Sequence, residues 1–225
     1  MKLVIFDCDG VLVNSETIYV DSEIECLSNV GFHMEKRPYM AAFMGLSDDD
    51  WRVKLETTVQ DRNGHPLPED FFESLKSFVM QRIESELQAI SGVHDAVADL
   101  ETECCVASSS NLEILKWKLE HTGIAGLFSP HIFSAEMVAR GKPAPDLFLH
   151  TAAAMGIEPR HCIVVEDSAN GVIAGKAAGM TVIGFTGGDH CPADQDSILM
   201  SSGAQAVIDD FAELGSAISC LTDST

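Results

Sequence analysis

The chain has 225 residues, 46% of them hydrophobic, which is enough for one large or two small domains with a buried core. Its formal net charge of −21 at pH 7 excludes functions that depend on clustered Lys and Arg. We therefore expect neither nucleic acid nor a membrane surface as a partner, and no apolar run is long enough to span a bilayer.

The N-terminal segment carries the most informative pattern. The apolar run at residues 3–6 predicts a buried strand, and Asp7 and Asp9 follow at its carboxyl end, where open α/β sheets bind ligands. Two neighbouring carboxylates repel each other without a cation, so the pair suggests a divalent metal with oxygen ligands such as Mg²⁺. Gly10 permits a tight turn beside the ligand. An ordinary Asp-Gly turn after a strand is the alternative that these residues alone leave open.

The next seventy residues show helical periodicity and no convincing strand. We predict helices over residues 15–30, from residue 48 and from residue 68 to residue 87, with a break at residues 43–47 and a loop at residues 61–66. The simplest interpretation is an all-helical cap domain, residues 15–87, inserted after the first strand. A lid that excludes water and a helical subdomain without a function both fit this pattern.

Short apolar strands alternate with helices from residue 91 onward, which is typical of a parallel sheet. We predict strands at residues 104–107, 131–133, 163–165 and 181–185, a possible edge strand at 206–208, and helices at 111–121, 145–155 and 168–178. The predicted fold class is α/β. Residues 1–14 and 88–225 form a Rossmann-like parallel sheet core flanked by helices.

Ser108, at the end of the second predicted strand, is followed by Ser109, Ser110 and Asn111. A hydroxyl followed by backbone N–H groups that enter a helix can hold a phosphate, although the same residues can simply cap the helix.

Lys142 precedes Pro143 and Pro145, which stiffen the backbone ahead of a predicted helix. A lysine fixed there can pair with a phosphate and with the carboxylate that attacks it, and a solvated lysine is the alternative.

Glu166 and Asp167 follow the fourth predicted strand in the same way that Asp7 follows the first. Asp167 can coordinate the metal beside Asp7, with Glu166 either a ligand or a neighbour of the ligands. A helix N-cap at this position is the alternative.

These four segments resemble the motifs of the haloacid dehalogenase-like superfamily, in order. FDCDGVLVNSE resembles the first motif, Ser108 matches the second, GKPAPD resembles the third motif of the sugar-phosphate branch, and EDSANG resembles the fourth. The resemblance implies that Asp7 is the nucleophile that takes the phosphoryl group and that Asp9 is the general acid and base. It also implies that Ser108 and Lys142 are catalytic.

The resemblance further implies a Mg²⁺ cofactor and a set of binding residues. The implied metal ligands are Asp7, the backbone carbonyl of Asp9, Glu166 and Asp167. The substrate, a small phosphorylated metabolite, would contact Asp7, Cys8, Asp9, Gly45, Ser108, Ser109, Asn111 and Lys142.

The expected activity is hydrolysis of small phosphate monoesters, of sugars or sugar acids. Dehalogenases and phosphonatases of the superfamily lack the second Asp, so Asp9 argues against both. A β-phosphoglucomutase-like mutase is the runner-up, although Tyr19 and residues 48–50 stand near places where the mutase has His and Arg. A non-catalytic phospho-acceptor module is a third hypothesis, but such modules are about half this length and carry no helical insertion.

Cysteine and histidine usage gives two more expectations. The seven cysteines are odd in number and show neither CxxC spacing nor a Cys/His set, so we expect free thiols in a cytoplasmic protein. The first predicted strand begins at residue 2 and is followed at once by charges, so we expect no signal peptide, and we expect a monomer. The eight histidines show no ligand spacing, and we expect them at the surface or partly buried.

Overall fold

A computed structural model describes residues 2–44, 46 and 48–222, with the backbone alone for Asp48. By its internal contacts the chain divides into two compact units. One unit consists of Met1–Asn14 with Gln88–Thr225, and the other is Ser15–Leu87.

The first unit is built on a sheet of parallel strands. Those among the described residues are β1 (Leu3–Phe6), β2 (Glu103–Ser108), β3 (Ile132–Ser134), β4 (Cys162–Glu166), β5 (Thr181–Phe185) and β6 (Ala206–Ile208). Their order across the sheet is β3-β2-β1-β4-β5-β6. The strand order reverses at β1, so the carboxyl ends of β1 and β4 form the crevice in which open α/β sheets bind ligands.

Helices make up most of the remaining described residues. They are α1 (Ser15–Asn29), α2 (Lys36–Phe43), α3 (Asp48–Asn63), α4 (Phe71–Glu86), α5 (Val93–Ala98), α6 (Leu112–His121), α7 (Asp146–Ala154), α8 (Ala169–Ala177), α9 (Gln195–Ser202) and α10 (Leu214–Thr222). The first four form the second unit, and the other six flank the sheet.

The core of the first unit lies between the central strands and the helices beside them. All four residues of β1 are fully buried, as expected for a parallel strand covered on both faces. Leu147 and Phe148 of α7 and Val172 of α8 belong to the same apolar cluster as the inward residues of β1 and β4. Packing on both sides fixes the strand ends, which carry the polar residues of the site.

The α/β prediction is confirmed, with strands and core helices within one or two residues of the expected bounds. The prediction of a loop at residues 61–66 was wrong for residues 61–63, since α3 continues to Asn63. The next residue, Gly64, has a φ of +75° and ends the helix. The helices α2, α5, α9 and α10 were not predicted; the first three have eight residues or fewer, too few for their periodicity to stand out.

The second unit has its own apolar core. The buried side of α4 consists of Phe71, Leu75, Val79 and Ile83. Tyr39 of α2 is also buried, donates from its hydroxyl to Glu23 at 2.8 Å and accepts from the indole of Trp51 at 3.1 Å. These interactions give the helical insertion a defined tertiary structure.

None of the described helices combines the length and the hydropathy needed to cross a bilayer. The seven cysteines are free thiols, as expected. Burial raises the pKa of Cys162 to about 11, so this thiol is protonated and unreactive at neutral pH.

Candidate active site

The polar residues of the first and fourth motifs meet where β1 and β4 end. Phe6 pairs with Val165 in the register of these two strands, and the backbone N–H of Asp7 donates to the carbonyl of Val165 at 3.0 Å. Phe6 also pairs with Val106 of β2, which brings the second motif to the other side of Asp7. Parallel pairing thus gathers three separated motifs at one edge of the sheet.

The chain turns sharply after Asp7. Gly10 has a φ of +76°, and the backbone N–H groups of Leu12 and Val13 donate to the carbonyl of Cys8 at 2.8 and 3.1 Å. Leu12, Val13 and Cys8 are fully buried, so the turn is anchored in the core rather than exposed. A rigid loop of this kind fixes the directions of the Asp7 and Asp9 side chains.

Lys142 lies at the centre of the site. Its ammonium is 2.9 Å from Asp7 Oδ1 and 2.6 Å from Glu166 Oε1, and it donates to the carbonyl of Ala107 at 3.2 Å. Burial alone would lower the pKa of Lys142, but the carboxylates of Asp7 and Glu166 raise it above the ordinary value. Lys142 is therefore a permanent, positioned positive charge beside Asp7.

The carboxylates around Lys142 are in an electrostatically unfavourable environment. Burial, with nearby acids, raises the pKa of Asp7 well above the ordinary value, although Lys142 opposes the effect. Burial also raises the pKa of Asp167, and the Glu166 carboxylate is the next largest cause. Bound positive charge would relieve this repulsion.

Asp7, Glu166 and Asp167 form a set that fits a divalent metal. Each offers a carboxylate oxygen, and these oxygens lie within 4.8 Å of one another. Oxygen donors of this kind suit Mg²⁺. The lack of a side chain at Gly10 makes room for the Asp167 carboxylate, because a Cβ on Gly10 would lie 2.0 Å from Asp167 Oδ2. The donor set, the burial and the excess negative charge agree with the expected cation site.

Glu166 has further protein partners. It is fully buried, and its Oε2 accepts from the backbone N–H of Ser168 at 3.0 Å and from the Ser168 hydroxyl at 2.9 Å. Its Oε1 binds Lys142, so Glu166 connects the lysine to the start of α8. The Ser168 hydroxyl also accepts from Gly171 N–H, which is the N-cap interaction considered as an alternative for this segment.

The second motif contributes hydroxyl groups beside Asp9. Ser108 is buried, its hydroxyl lies 3.5 Å from Asp9 Oδ2, and Ser110 donates to the same Oδ2 at 2.6 Å. Ser109 is exposed. Asn111 is the N-cap of α6: its Oδ1 accepts from the N–H of Glu113 at 2.9 Å, and its amide donates to Glu136 at 2.5 Å.

One expected substrate contact, Gly45, belongs to the helical unit and is outside the described residues. Two side chains of that unit make aromatic contacts. Phe43 is buried and its ring is 4.8 Å from the ring of Tyr39, which favours a packing role. Arg52 places its guanidinium 3.9 Å from the ring centre of Phe72.

Three residues from outside the four predicted motif segments also lie at the site. Lys118 of α6 is buried and its ammonium binds the Asp9 carboxylate. Gln195 donates its amide to the backbone carbonyl of Asp167 at 2.5 Å. Lys118 sits between the core residues Leu115 and Leu119, and a lysine on the buried side of a helix was the one available sequence signal.

His190, the third of them, corrects an expectation. We expected the histidines at the surface or partly buried, but His190 is 2% exposed and its Nε2 lies 2.8 Å from Asp167 Oδ2. The loop after β5 brings His190 against Asp167 and Gly10, which spacing along the chain did not indicate.

Comparisons with known proteins agree with this geometry. A family model described as haloacid dehalogenase-like hydrolase matches residues 1–179. Hexitol phosphatase B of Escherichia coli is 32% identical over 182 residues, which cover 80% of this chain and 81% of that protein.

Two solved structures extend the likeness to the whole fold. A haloacid dehalogenase-like protein of Agrobacterium tumefaciens has a TM-score of 0.90 at 35% identity and covers 99% of both chains. A hydrolase of the same family from Deinococcus radiodurans, solved with bound phosphate and sodium, has a TM-score of 0.86 at 31% identity and covers 97% of this chain and 95% of that one.

Proposed function

Because the chain belongs to the haloacid dehalogenase-like hydrolase family and is a hydrolase of phosphate monoesters, we propose that it is a Mg²⁺-dependent phosphatase of small sugar or sugar-acid phosphates that works through an aspartyl phosphate on Asp7.

The observation that carries this proposal is the contact between Asp7 and Lys142. A phosphate monoester dianion and a carboxylate nucleophile repel each other, and a cation shared by both reduces that repulsion. Lys142 holds its ammonium 2.9 Å from Asp7 Oδ1 at the buried strand edge. A solvated lysine would not be fixed in this way.

In the first half-reaction an Asp7 oxygen attacks phosphorus and the bond to the leaving oxygen breaks. Lys142, the Ser108 hydroxyl and the backbone N–H groups near Cys8 bind the phosphoryl oxygens. Asp9 gives its proton to the leaving alkoxide. The products are the released alcohol and a phosphorylated Asp7.

In the second half-reaction water attacks the same phosphorus. Asp9, now ionised, takes a proton from that water, the bond between Asp7 and phosphorus breaks, and inorganic phosphate leaves. One carboxyl group serves as acid and then as base, which explains why two aspartates flank Cys8.

Asp7, Asp167 and the backbone carbonyl of Asp9 would hold Mg²⁺, with Glu166 as a further ligand or as the anchor of Lys142. When bound, the ion supplies positive charge that offsets the repulsion among the carboxylates and the phosphate.

The substrate class comes from the relatives. Hexitol phosphatase B is named for a sugar-alcohol phosphate, and the Deinococcus structure contains phosphate. The name of the first supports a phosphorylated sugar or a related small metabolite as the substrate of this chain, and the phosphate in the second supports a phosphate group on that substrate.

The test is a phosphate-release screen of phosphorylated sugars, hexitols and sugar acids with Mg²⁺. It includes β-glucose 1-phosphate, with a second assay for conversion to the 6-phosphate, because product identity separates a hydrolase from a mutase. We expect many equivalents of phosphate per enzyme, whereas a phospho-acceptor module would stop near one. Release from none of the esters would refute the proposal.

Asp7→Asn tests the nucleophile directly. We expect turnover to fall at least about a thousandfold, since an amide cannot form the acyl phosphate. Asp95→Asn is the matched control, because the Asp95 side chain is 94% exposed. Equal activity in the two variants would contradict the mechanism.

A further inference from the structure

The side chain of Asp9 is held by two groups that none of the four motifs includes as functional residues. The ammonium of Lys118 binds Asp9 Oδ1, and the hydroxyl of Ser110 donates to Asp9 Oδ2 at 2.6 Å. Lys118 also donates to the Ser110 hydroxyl at 3.3 Å, which closes a three-membered network. Each carboxylate oxygen of Asp9 is thus fixed by a different element of the fold.

Lys118 occupies a position at which an aliphatic residue would normally lie. It is 1% exposed and shares the buried side of α6 with Leu115 and Leu119. Burying an ammonium carries a large desolvation cost, and a Met or Leu of similar volume would pack there without that cost. Among the described residues, no other Lys or Arg is buried as a whole residue. Packing therefore does not explain the lysine.

The two aspartates that flank Cys8 have different lysine partners. Lys142 is 2.9 Å from Asp7, while Lys118 binds Asp9. The carboxylates that approach one another within 4.8 Å are those of Asp7, Glu166 and Asp167, and Asp9 is not among them. The second lysine draws the Asp9 carboxylate away from the acidic cluster and leaves it beside the Ser108 hydroxyl, which lies 3.5 Å from Oδ2.

We propose that Lys118 is a positioning residue for Asp9: with Ser110 it holds the Asp9 carboxyl group where the leaving oxygen departs and outside the cation site. The inference rests on the proposed function, in which Asp9 is the general acid. Lys118 itself does not touch the substrate.

A leaving-group comparison tests this role. Phenyl phosphate and p-nitrophenyl phosphate have nearly the same shape, but phenol is about as basic as a tyrosine side chain and p-nitrophenol is far less basic. Departure of phenol needs proton transfer from Asp9 more than departure of p-nitrophenol does. The quantity to measure is kcat/KM, which covers the steps up to phosphorylation of Asp7 and release of the alcohol.

The variant is Lys118→Met, which keeps the volume and the apolar stem. We expect its kcat/KM for phenyl phosphate to fall at least about tenfold more than its kcat/KM for p-nitrophenyl phosphate. Ser110→Ala should also lower kcat/KM more for phenyl phosphate than for p-nitrophenyl phosphate, although both decreases should be smaller than in Lys118→Met. This second variant tests the proposal even if Lys118→Met fails to fold. Lys116→Met, the same change at an exposed position of the same helix, should leave both values unchanged.

The outcomes separate this proposal from the proposed function. If the wild-type protein hydrolyses neither aryl phosphate nor any ester of the metabolite screen, the proposed function fails. If the wild-type protein is active and the variants lower both kcat/KM values by the same factor, or lower neither, Lys118 and Ser110 have only a structural role and the positioning proposal is overturned.

Discussion

Gly10 and Asp167 lie so close together that no side chain fits between them. A Cβ on Gly10 would be 2.0 Å from Asp167 Oδ2 and 2.7 Å from a ring carbon of His190. These residues are more than 150 positions apart in the chain and meet because β1 and β4 are neighbours in the sheet. The turn after β1 therefore borders the space that the carboxylate of Asp167, an expected metal ligand, occupies.

Gly10→Ala should displace Asp167 and weaken Mg²⁺ binding. Gly123→Ala is the matched control, since Gly123 also has a φ of +76° but has no atom within 4 Å of its Cβ position. Both variants incur about 1–2 kcal/mol of left-handed backbone strain. Only Gly10→Ala should also lower Mg²⁺ affinity, by roughly 10- to 100-fold. Thermal unfolding and calorimetric titration measure the two effects, and equal Mg²⁺ affinities would contradict the prediction.

Gly171→Ala should destabilise the protein although alanine is the better helix former. A Cβ at this position of α8 would lie 1.8 Å from Glu166 Oε1, which binds Lys142. We expect a lower melting temperature and a loss of activity of about a hundredfold as Lys142 shifts. Gly215→Ala in α10 has open space around it and should stabilise by up to about 1 kcal/mol. If Gly171→Ala raised the melting temperature as Gly215→Ala does, the Glu166 side chain would be able to move away from the added methyl group at little cost, and the prediction would be wrong.

His190→Ala should raise the Mg²⁺ concentration needed for half-maximal activity by roughly 10- to 100-fold, because His190 orients the Asp167 carboxylate from 2.8 Å. His190→Gln keeps a donor and should recover part of the loss. His94→Ala, at a side chain that is 66% exposed, is the control. If His190→Ala needed no more Mg²⁺ than the wild-type protein, His190 would not orient the Asp167 carboxylate for metal binding.

Mg²⁺ should stabilise the fold most near neutral pH and progressively less in acid. Burial raises the folded-state pKa of Asp7 and of Asp167, so their ionisation opposes folding above the usual carboxyl range. Without metal, this cost starts to shrink when the pH falls to the raised pKa values, and it is gone only below the usual carboxyl range. Mg²⁺ binds the ionised groups, so protons compete with it, and at a hundred times its Kd it would add about 2.7 kcal/mol.

Melting temperatures with Mg²⁺ and with a chelator, measured across this pH range, test the prediction. Asp167→Asn should abolish the difference between the two conditions. A Mg²⁺ effect of the same size at every pH would mean that the ion binds elsewhere.

The positions of the motif residues followed from the sequence because each comes directly after an apolar run. Asp7 and Asp167 could be placed together before any coordinates, since parallel strands bring their carboxyl ends to one edge of the sheet. Lys142 was placed in the site by its resemblance to a known motif, and its contacts with Asp7 and Glu166 agree with that placement.

The sequence by itself determined the α/β alternation and the strand ends that carry the acids, because these depend on local hydrophobic patterns. Only the tertiary structure decided that Lys118, 109 positions from Asp9, binds it, and that His190 is buried against Asp167. A lysine on a helix or a histidine in a loop has the same local signature whether it is solvated or buried. Its partner is fixed by the packing of distant elements, which no local pattern encodes.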